Sequence, residues 1–436
     1  MSESVQSISK TQYLADVAQA AKSPGPKWLL ELRKAAAVRL AELEFPNRRQ
    51  EEWRFTNIAP IVNTSFRSMV ERLAIDLRAA DIEPFVFREE GWTELVFVNG
   101  FYQPSLSRIA AASTNVRCGD LTAAAGSVVE HLDRYGANGN IFTALNSAFL
   151  AGGAYVHIPA GQVMEHPIHL VFVSAGRSEN TAAYPRTLVI AEPQSQAVLV
   201  ESHVHLEGNV PYFNNSVTEV VVKENAHVHA YRIVQEGASS YHLSTTKVHQ
   251  AAASVFKSFA VTLSGKIVRN ELSVLLDGEG ADCSLQGLYL TGGDQLVDNA
   301  TAIEHAQPRC TSWIGYKGVL DGRSHGVFTG KIKVRRHAQK TDSKQLNNNL
   351  LLSDEAVINT KPLLEIFADD VKCTHGATVG RPPEEVIFYF KSRGISEAMA
   401  QGMLTCGFCD ALLSQMELEP VRQRLDNVVF ERYSPI

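Results

Sequence analysis

From about residue 153 the chain is written in short β-branched runs broken by glycine and acidic turns. They include Ala154-Tyr-Val-His-Ile158, His169-Leu-Val-Phe-Val173, Thr187-Leu-Val-Ile190, Ala197-Val-Leu-Val200 and Thr218-Glu-Val-Val-Val222. Several alternate apolar with polar, as in Ala226-His-Val-His-Ala-Tyr-Arg-Ile233, which is the period of a strand with one face buried. Strand follows strand with no strong helical pattern between, so the region reads as all-β rather than as βαβ units. Segments opening at Ala197, Ala226, Ala253, Ala281 and Arg309 superimpose at spacings of 27 to 29 residues. That period predicts stacked coils sharing one core, a parallel β-helix, because it is short for a propeller blade. A flat sandwich is the competing all-β architecture. Asn347-Asn-Asn349 then reads either as an amide ladder between coils or as a polar loop.

The flanks follow a helical period. Pro26 suits a first turn, and Trp28, Leu32, Ala36, Leu40 and Leu43 mark one apolar face that Pro46 ends. The charged run Arg48, Arg49, Glu51, Glu52, Trp53, Arg54 reads as a solvated face anchored by its tryptophan. Val96 to Gly100 predicts a strand entering a turn, and Phe142 to Phe149 a short helix. Beyond Gly380, Pro382 and Pro383 with Glu384 and Glu385 open a helix that Gly394 caps. Ser396 opens a second, with a stripe of Met399, Met403, Cys406, Cys409, Leu413 and Met416, and Pro420 a third with Val421, Leu425, Val428 and Val429. The expected division is a helical and mixed region at 1–150, a β-helix at 151–380 and a helical region at 381–436.

Composition narrows the function classes. The 436 residues, 45% hydrophobic and 20% charged with net charge −6, describe a globular chain with no electrostatic case for nucleic acid or an anionic membrane. No run reaches the ~18 apolar residues of a membrane-spanning helix, and the N-terminus lacks a signal-peptide pattern, so a cytoplasmic location is expected. The six cysteines, at 118, 283, 310, 373, 406 and 409, are then expected to be reduced.

Candidate chemistry concentrates at Ile366-Phe-Ala-Asp-Asp-Val-Lys-Cys-Thr-His-Gly-Ala-Thr-Val-Gly380. On a strand, Cys373 and His375 project from one face, and thiolate with imidazole suits zinc or iron. They are only half of a closed four-ligand set. His203/His205 and His227/His229 are further same-face pairs, read mainly as hydrogen-bonded strand histidines. Cys406 and Cys409 lie on a helical stripe and read as packing. No phosphate-binding loop, dinucleotide fingerprint, nucleophile elbow or His-Glu-x-x-His is present, so the chain is expected to bind no ATP itself and to lack self-contained catalysis.

One resemblance draws these features together. Lys317-Gly-Val-Leu-Asp-Gly-Arg-Ser-His-Gly-Val-Phe-Thr-Gly-Lys-Ile-Lys-Val334, Ala338-Gln-Lys-Thr-Asp342, Gln345 to Ser353, Lys361 to Gly380 and Phe388-Tyr-Phe-Lys-Ser-Arg-Gly-Ile395 resemble the SufB/SufD family of the SUF iron–sulfur assembly machinery. The Cys-Thr-His-Gly form at 373–376 is similar to the SufD branch, and weaker likeness extends to Glu51 to Thr56 and Leu145 to Ala148. Phe390 stands where leucine is common, and Cys406 and Cys409 where alanine-like residues are usual.

The resemblance implies a right-handed parallel β-helix between helical domains, acting as a non-enzymatic scaffold. It implies a heterodimer with a SufB-like paralogue through the last coils, and a SufC-like ATPase on the C-terminal helices. It leaves a homodimer of the isolated chain open. A transient iron–sulfur cluster or iron would form at the subunit interface, with His375 as a ligand and Cys373 beside it. The alternatives are a carbohydrate-active β-helix enzyme, or a self-sufficient metalloenzyme using Cys373 and His375.

Overall fold

The computed structural model describes residues 2–71, 77–110, 115–124, 130–133, 139–175, 180–206, 208 and 210–434. Two long sheets lie side by side, and the chain alternates between them. One holds, in spatial order, β20 (Val357–Ile366), β18 (His325–Val334), β16 (Leu296–His305), β14 (Ile267–Leu276), β12 (Ser240–Gln250), β10 (Tyr212–Val222), β8 (Arg186–Ala191), β5 (Gly153–Ile158) and β4 (Arg117–Asp120). Beside β10 runs the short β7 (Thr181–Ala183), and beside that β1 (Arg67–Ser68). The other holds β21 (Lys372–Gly380), β19 (Asp342–Leu351), β17 (Thr311–Leu320), β15 (Asp282–Thr291), β13 (Val255–Ser264), β11 (His227–Gln235), β9 (Gln196–His205), β6 (Ile168–Ser174), β2 (Thr93–Val98) and β3 (Phe101–Tyr102). From β8 onward each turn contributes one strand to each sheet, and the pairing is parallel throughout. This is a parallel β-solenoid of about eight turns, not a sandwich.

The repeat seen in the sequence is a repeated corner. Gln194, Asn225, Ala253, Gly280, Arg309 and Lys340 all have φ between 52° and 72°, the left-handed region. Each donates its backbone N–H to a carbonyl one turn further on, for example Asn225 to Ala252 and Ala253 to Glu279, at 3.0 and 2.9 Å. After each corner the chain enters a strand of the second sheet. A side chain facing inward therefore stacks in register with its counterpart in the next turn. One such column reads Ala197, Val228, Phe256, Cys283, Ser312, Ser343, Cys373. Asn347 and Asn349 also face inward. Their register neighbours are Tyr316 with Ala377, and Gly318 with Val379, so no amide ladder forms. Instead Asn349 donates to Asn347 Oδ1 within the strand, at 2.7 Å.

Helices cover the outer faces. At the N-terminal side these are α1 (Ser2–Ala20), α2 (Lys27–Glu42), the short α3 (Ala59–Val62) and α4 (Ala79–Ile82), and α5 (Ile141–Ala148). The buried side of α2 carries Leu29, Arg33, Ala36 and Leu40, while Trp28 and Leu32 lie at its margin. The shift follows from Arg33, which donates to the Leu150 carbonyl at 2.8 Å and to the Ser23 carbonyl at 3.0 Å. Asn146 on α5 donates to the carbonyls of Pro185 and Asn215, stapling that helix to the entry of β8 and to β10. Trp53 is buried as expected of an anchor, with the Arg269 guanidinium 3.9 Å above its ring. Asn99 and Gly100, both with positive φ, turn β2 back into β3.

At the C-terminal side lie α6 (Glu384–Ser392), α7 (Glu397–Leu413) and α8 (Glu419–Tyr433). Cys409, Leu412, Leu413, Met416, Val421, Leu425 and Val429 join Tyr231, Phe259, Leu288 and Val319 of the second sheet in one cluster. Cys409 is thus a packing residue with Cys406 at its edge. The stripe expected on α7 divides, because Met399 and Met403 face solvent while Ala400, Gly402 and Thr405 turn inward.

Candidate metal-binding site

The two ends of the solenoid differ. At the start, β2 pairs with β6, β3 turns back on β2, and β4 runs antiparallel along β5. At the finish, β20 and β21 are hydrogen-bonded on one side only. Their inward side chains have no further turn above them. In β19 the inward Ser343, Gln345 and Asn347 are buried. One turn on, their register partners Cys373, His375 and Ala377 are half-buried, exposed and exposed. Ile358, Leu364, Val371 and Cys373 touch the interior core yet stay partly exposed. Val357, Ile366, Phe367 and Val379 are exposed outright. An uncapped turn leaves both apolar surface and a row of backbone donors and acceptors in solvent.

Cys373 and His375 therefore project from one face of β21, as their spacing requires, into the open mouth of the solenoid. The column beneath Cys373 is polar: Ser343 Oγ lies 2.6 Å from Ser312 Oγ, which lies 2.9 Å from His305 Nε2. Beneath His375 stands Gln345, whose amide oxygen and nitrogen are both buried without a partner. Burial pushes the Cys373 thiol above its ordinary range, and the nearby Asp342 carboxylate adds to it. The thiol is thus protonated at neutral pH in the chain alone. An arriving cation would have to displace that proton, which couples metal binding to proton release.

Among the described residues, no third histidine, cysteine or carboxylate comes within ligand distance of both. Asp369 and Asp370 precede the strand, and Asp370 pairs with Lys340 at 2.9 Å rather than joining the site. The site is a two-donor set on an exposed edge. Gln345, Ser343 and Ser312 were not legible as parts of it. The signal was the polar run in what should be core positions, visible only once the register was known.

The two His-x-His pairs do not act as pairs. His205 stacks on Tyr212, with ring centroids 4.6 Å apart, and His229 faces Glu417 at 3.4 Å. His203 is buried against Glu201.

Two family models match nearly the whole chain: a SufBD protein N-terminal region over residues 9–170, and a SUF system FeS cluster assembly SufBD core domain over 172–408. A SufBD family iron–sulfur cluster assembly protein of Synechocystis sp. is 34% identical over 412 residues, covering 92% of this chain and 90% of that one. The iron–sulfur cluster assembly protein SufD of Escherichia coli is 31% identical over 388 residues, 87% of each chain. A SufBD family protein of Mycobacterium tuberculosis is 31% identical over 292 residues, covering 65% of this chain and 70% of that one.

Proposed function

Because the chain belongs to the SufBD family of iron–sulfur cluster assembly proteins and is homologous to SufD, we propose that it is a non-catalytic scaffold subunit. Its open last turn pairs with the matching turn of a SufB-like paralogue and supplies part of a nascent-cluster site there. The observation that carries this reading is the uncapped C-terminal turn, which presents Cys373 and His375 beside Val357, Phe367 and Val379. A second solenoid stacked on that mouth would satisfy the free strand edges, cover the apolar side chains and bring further donors to the incomplete set. Iron or an iron–sulfur cluster is the cargo held there. His375, exposed and on the correct face, is the ligand from this chain, with Cys373 next to it.

The C-terminal helices support a second contact. No residue of α6 is buried, and Phe388 is 73% exposed beside the exposed Tyr389. With Met399 and Met403 these form an apolar surface suited to a SufC-like ATPase, a role that leaves nucleotide to the partner. Among the described residues, no helix is long and apolar enough to cross a membrane.

The test is His375→Ala in the assembled complex. The variant should fold and pair normally, while the yield of cluster formed on the complex falls by at least about tenfold, the scale of losing one metal ligand or its support. An unchanged cluster yield with normal pairing removes His375 from this role.

A further inference from the structure

Away from the open end, three buried side chains converge at the corner where the chain leaves β11 for β12. His203 comes from β9, Glu236 follows β11 directly, and His242 lies near the start of β12. Each is almost fully buried, with 0, 3 and 0% of its surface exposed. One ligand atom from each lies within 4.8 Å of the other two.

The surroundings are arranged around this centre. Glu201 Oε1 sits 2.8 Å from His203 Nε2 and is itself held by Arg232 at 2.8 Å. Asn214 donates to Glu236 Oε1 at 3.1 Å, and the Tyr212 hydroxyl donates to Glu236 Oε2. Phe172 stacks on the His203 ring, with centroids 5.1 Å apart. His242 Nδ1 lies 3.1 Å from Glu236 Oε1. Two imidazole nitrogens remain buried without a partner, His203 Nδ1 and His242 Nε2. A buried polar nitrogen with neither protein nor solvent to bond is unfavourable, and buried groups are normally satisfied.

We propose that His203, Glu236 and His242 bind one divalent transition-metal ion, zinc or ferrous iron. Two imidazoles and one carboxylate are a donor set that both ions accept, at about 2.0–2.2 Å per bond. Ligand atoms around such an ion are roughly 3–4 Å apart, so the three side chains, within 4.8 Å of one another without it, need close by at most about 2 Å. Glu201, Tyr212 and Asn214 supply the outer hydrogen bonds that fix imidazole and carboxylate ligands in place. The ion is structural: it ties β9 to the crossing between the sheets and enters as the chain folds, because the site is sealed. It is distinct from the mouth of the solenoid. β9 and β21 are six strand spacings apart in one sheet, about 29 Å at ~4.8 Å each, too far to share an ion with His375.

The test uses the full chain, produced anaerobically with zinc and ferrous iron both supplied and passed through gel filtration with chelator. Elemental mass spectrometry should find about one equivalent of one of the two metals per chain, and which one identifies the ion. His375→Ala should keep that equivalent, and the pair His242→Gln with Glu236→Gln should lose at least about nine-tenths of it. Those buried changes can also unfold the chain, so the unaltered sequence is folded separately with cobalt(II). Visible d–d absorption from a stoichiometric cobalt ion, and a higher urea midpoint than that of the metal-free chain, are expected. Metal below about a tenth of an equivalent with no cobalt spectrum overturns the proposal. So does metal kept by a folded His242→Gln, Glu236→Gln chain, or metal lost with His375→Ala alone.

Discussion

A buried imidazole shows how one residue couples this solenoid to pH. His305 ends β16 inside the structure, and burial lowers its pKa from 6.5 to about 4. The unfolded chain takes up a proton at this position near pH 6.5, whereas the folded chain does so only near pH 4. The stability owed to neutral His305 is therefore full above pH 6.5 and is lost as pH falls from there to about 4. The limiting slope is about 1.4 kcal/mol per pH unit for one proton. Urea unfolding of His305→Gln should show a pH dependence shallower by up to that amount in this window. An unchanged slope would mean that His305 takes up its proton equally in both states. Two buried carboxylates act lower on the scale. Burial raises Glu94 and Glu201, but hydrogen bonds from His169 and the Arg88 and Phe87 backbone outweigh it for the first, and Arg232 with His203 for the second, leaving both at about 2. Their stabilisation is present above the ordinary glutamate value and fades as pH falls toward 2.

At the scale of elements, the corner matters as much as the strands it joins. A left-handed residue with a side chain is strained by roughly 1–2 kcal/mol, and glycine relieves that strain while adding entropy to the unfolded chain. Gly280 already occupies one corner, whereas Ala253 occupies another at φ 52° and is exposed. Ala253→Gly should raise unfolding stability by about 0.5–1 kcal/mol, measured by denaturant midpoint at constant slope. A loss of stability would show that the Ala253 methyl makes a contact worth more than the strain. The helices follow a different logic. α7 buries the side that meets Tyr231 and Leu288 on the sheet, so its packing face is chosen by the partner surface and not by its most apolar stripe. That is why Met399 and Met403, apolar by sequence, end in solvent.

For the whole molecule, the decisive asymmetry is one covered end and one open end. Val379 on the inward face of β21 is 48% exposed, so a lysine there can reach water in the isolated chain. In a stacked pair the same ammonium would be buried without a partner. Val379→Lys should change the stability of the isolated chain by no more than about 0.5 kcal/mol while weakening the proposed association with a SufB-like paralogue at least about tenfold. Unchanged association would place the contact elsewhere. Much of this architecture was legible in the sequence, because strand alternation and a turn recurring every 27 to 31 residues are local properties set by side-chain polarity and backbone strain. The shared face of Cys373 and His375 was legible too, since a strand repeats every second residue. What lay beyond local pattern was register. Only the stacking of turns sets Gln345 under His375, carries polar residues into the last core columns, and brings His203 beside a glutamate 33 positions later and a histidine 39 positions later. The sequence by itself determined the repeating strand, the corner and the donors, whereas the tertiary structure alone decided which donors meet and which turn is left uncovered. Side-chain chemistry is fixed by covalent structure, but proximity between distant residues arises only when the turns pack.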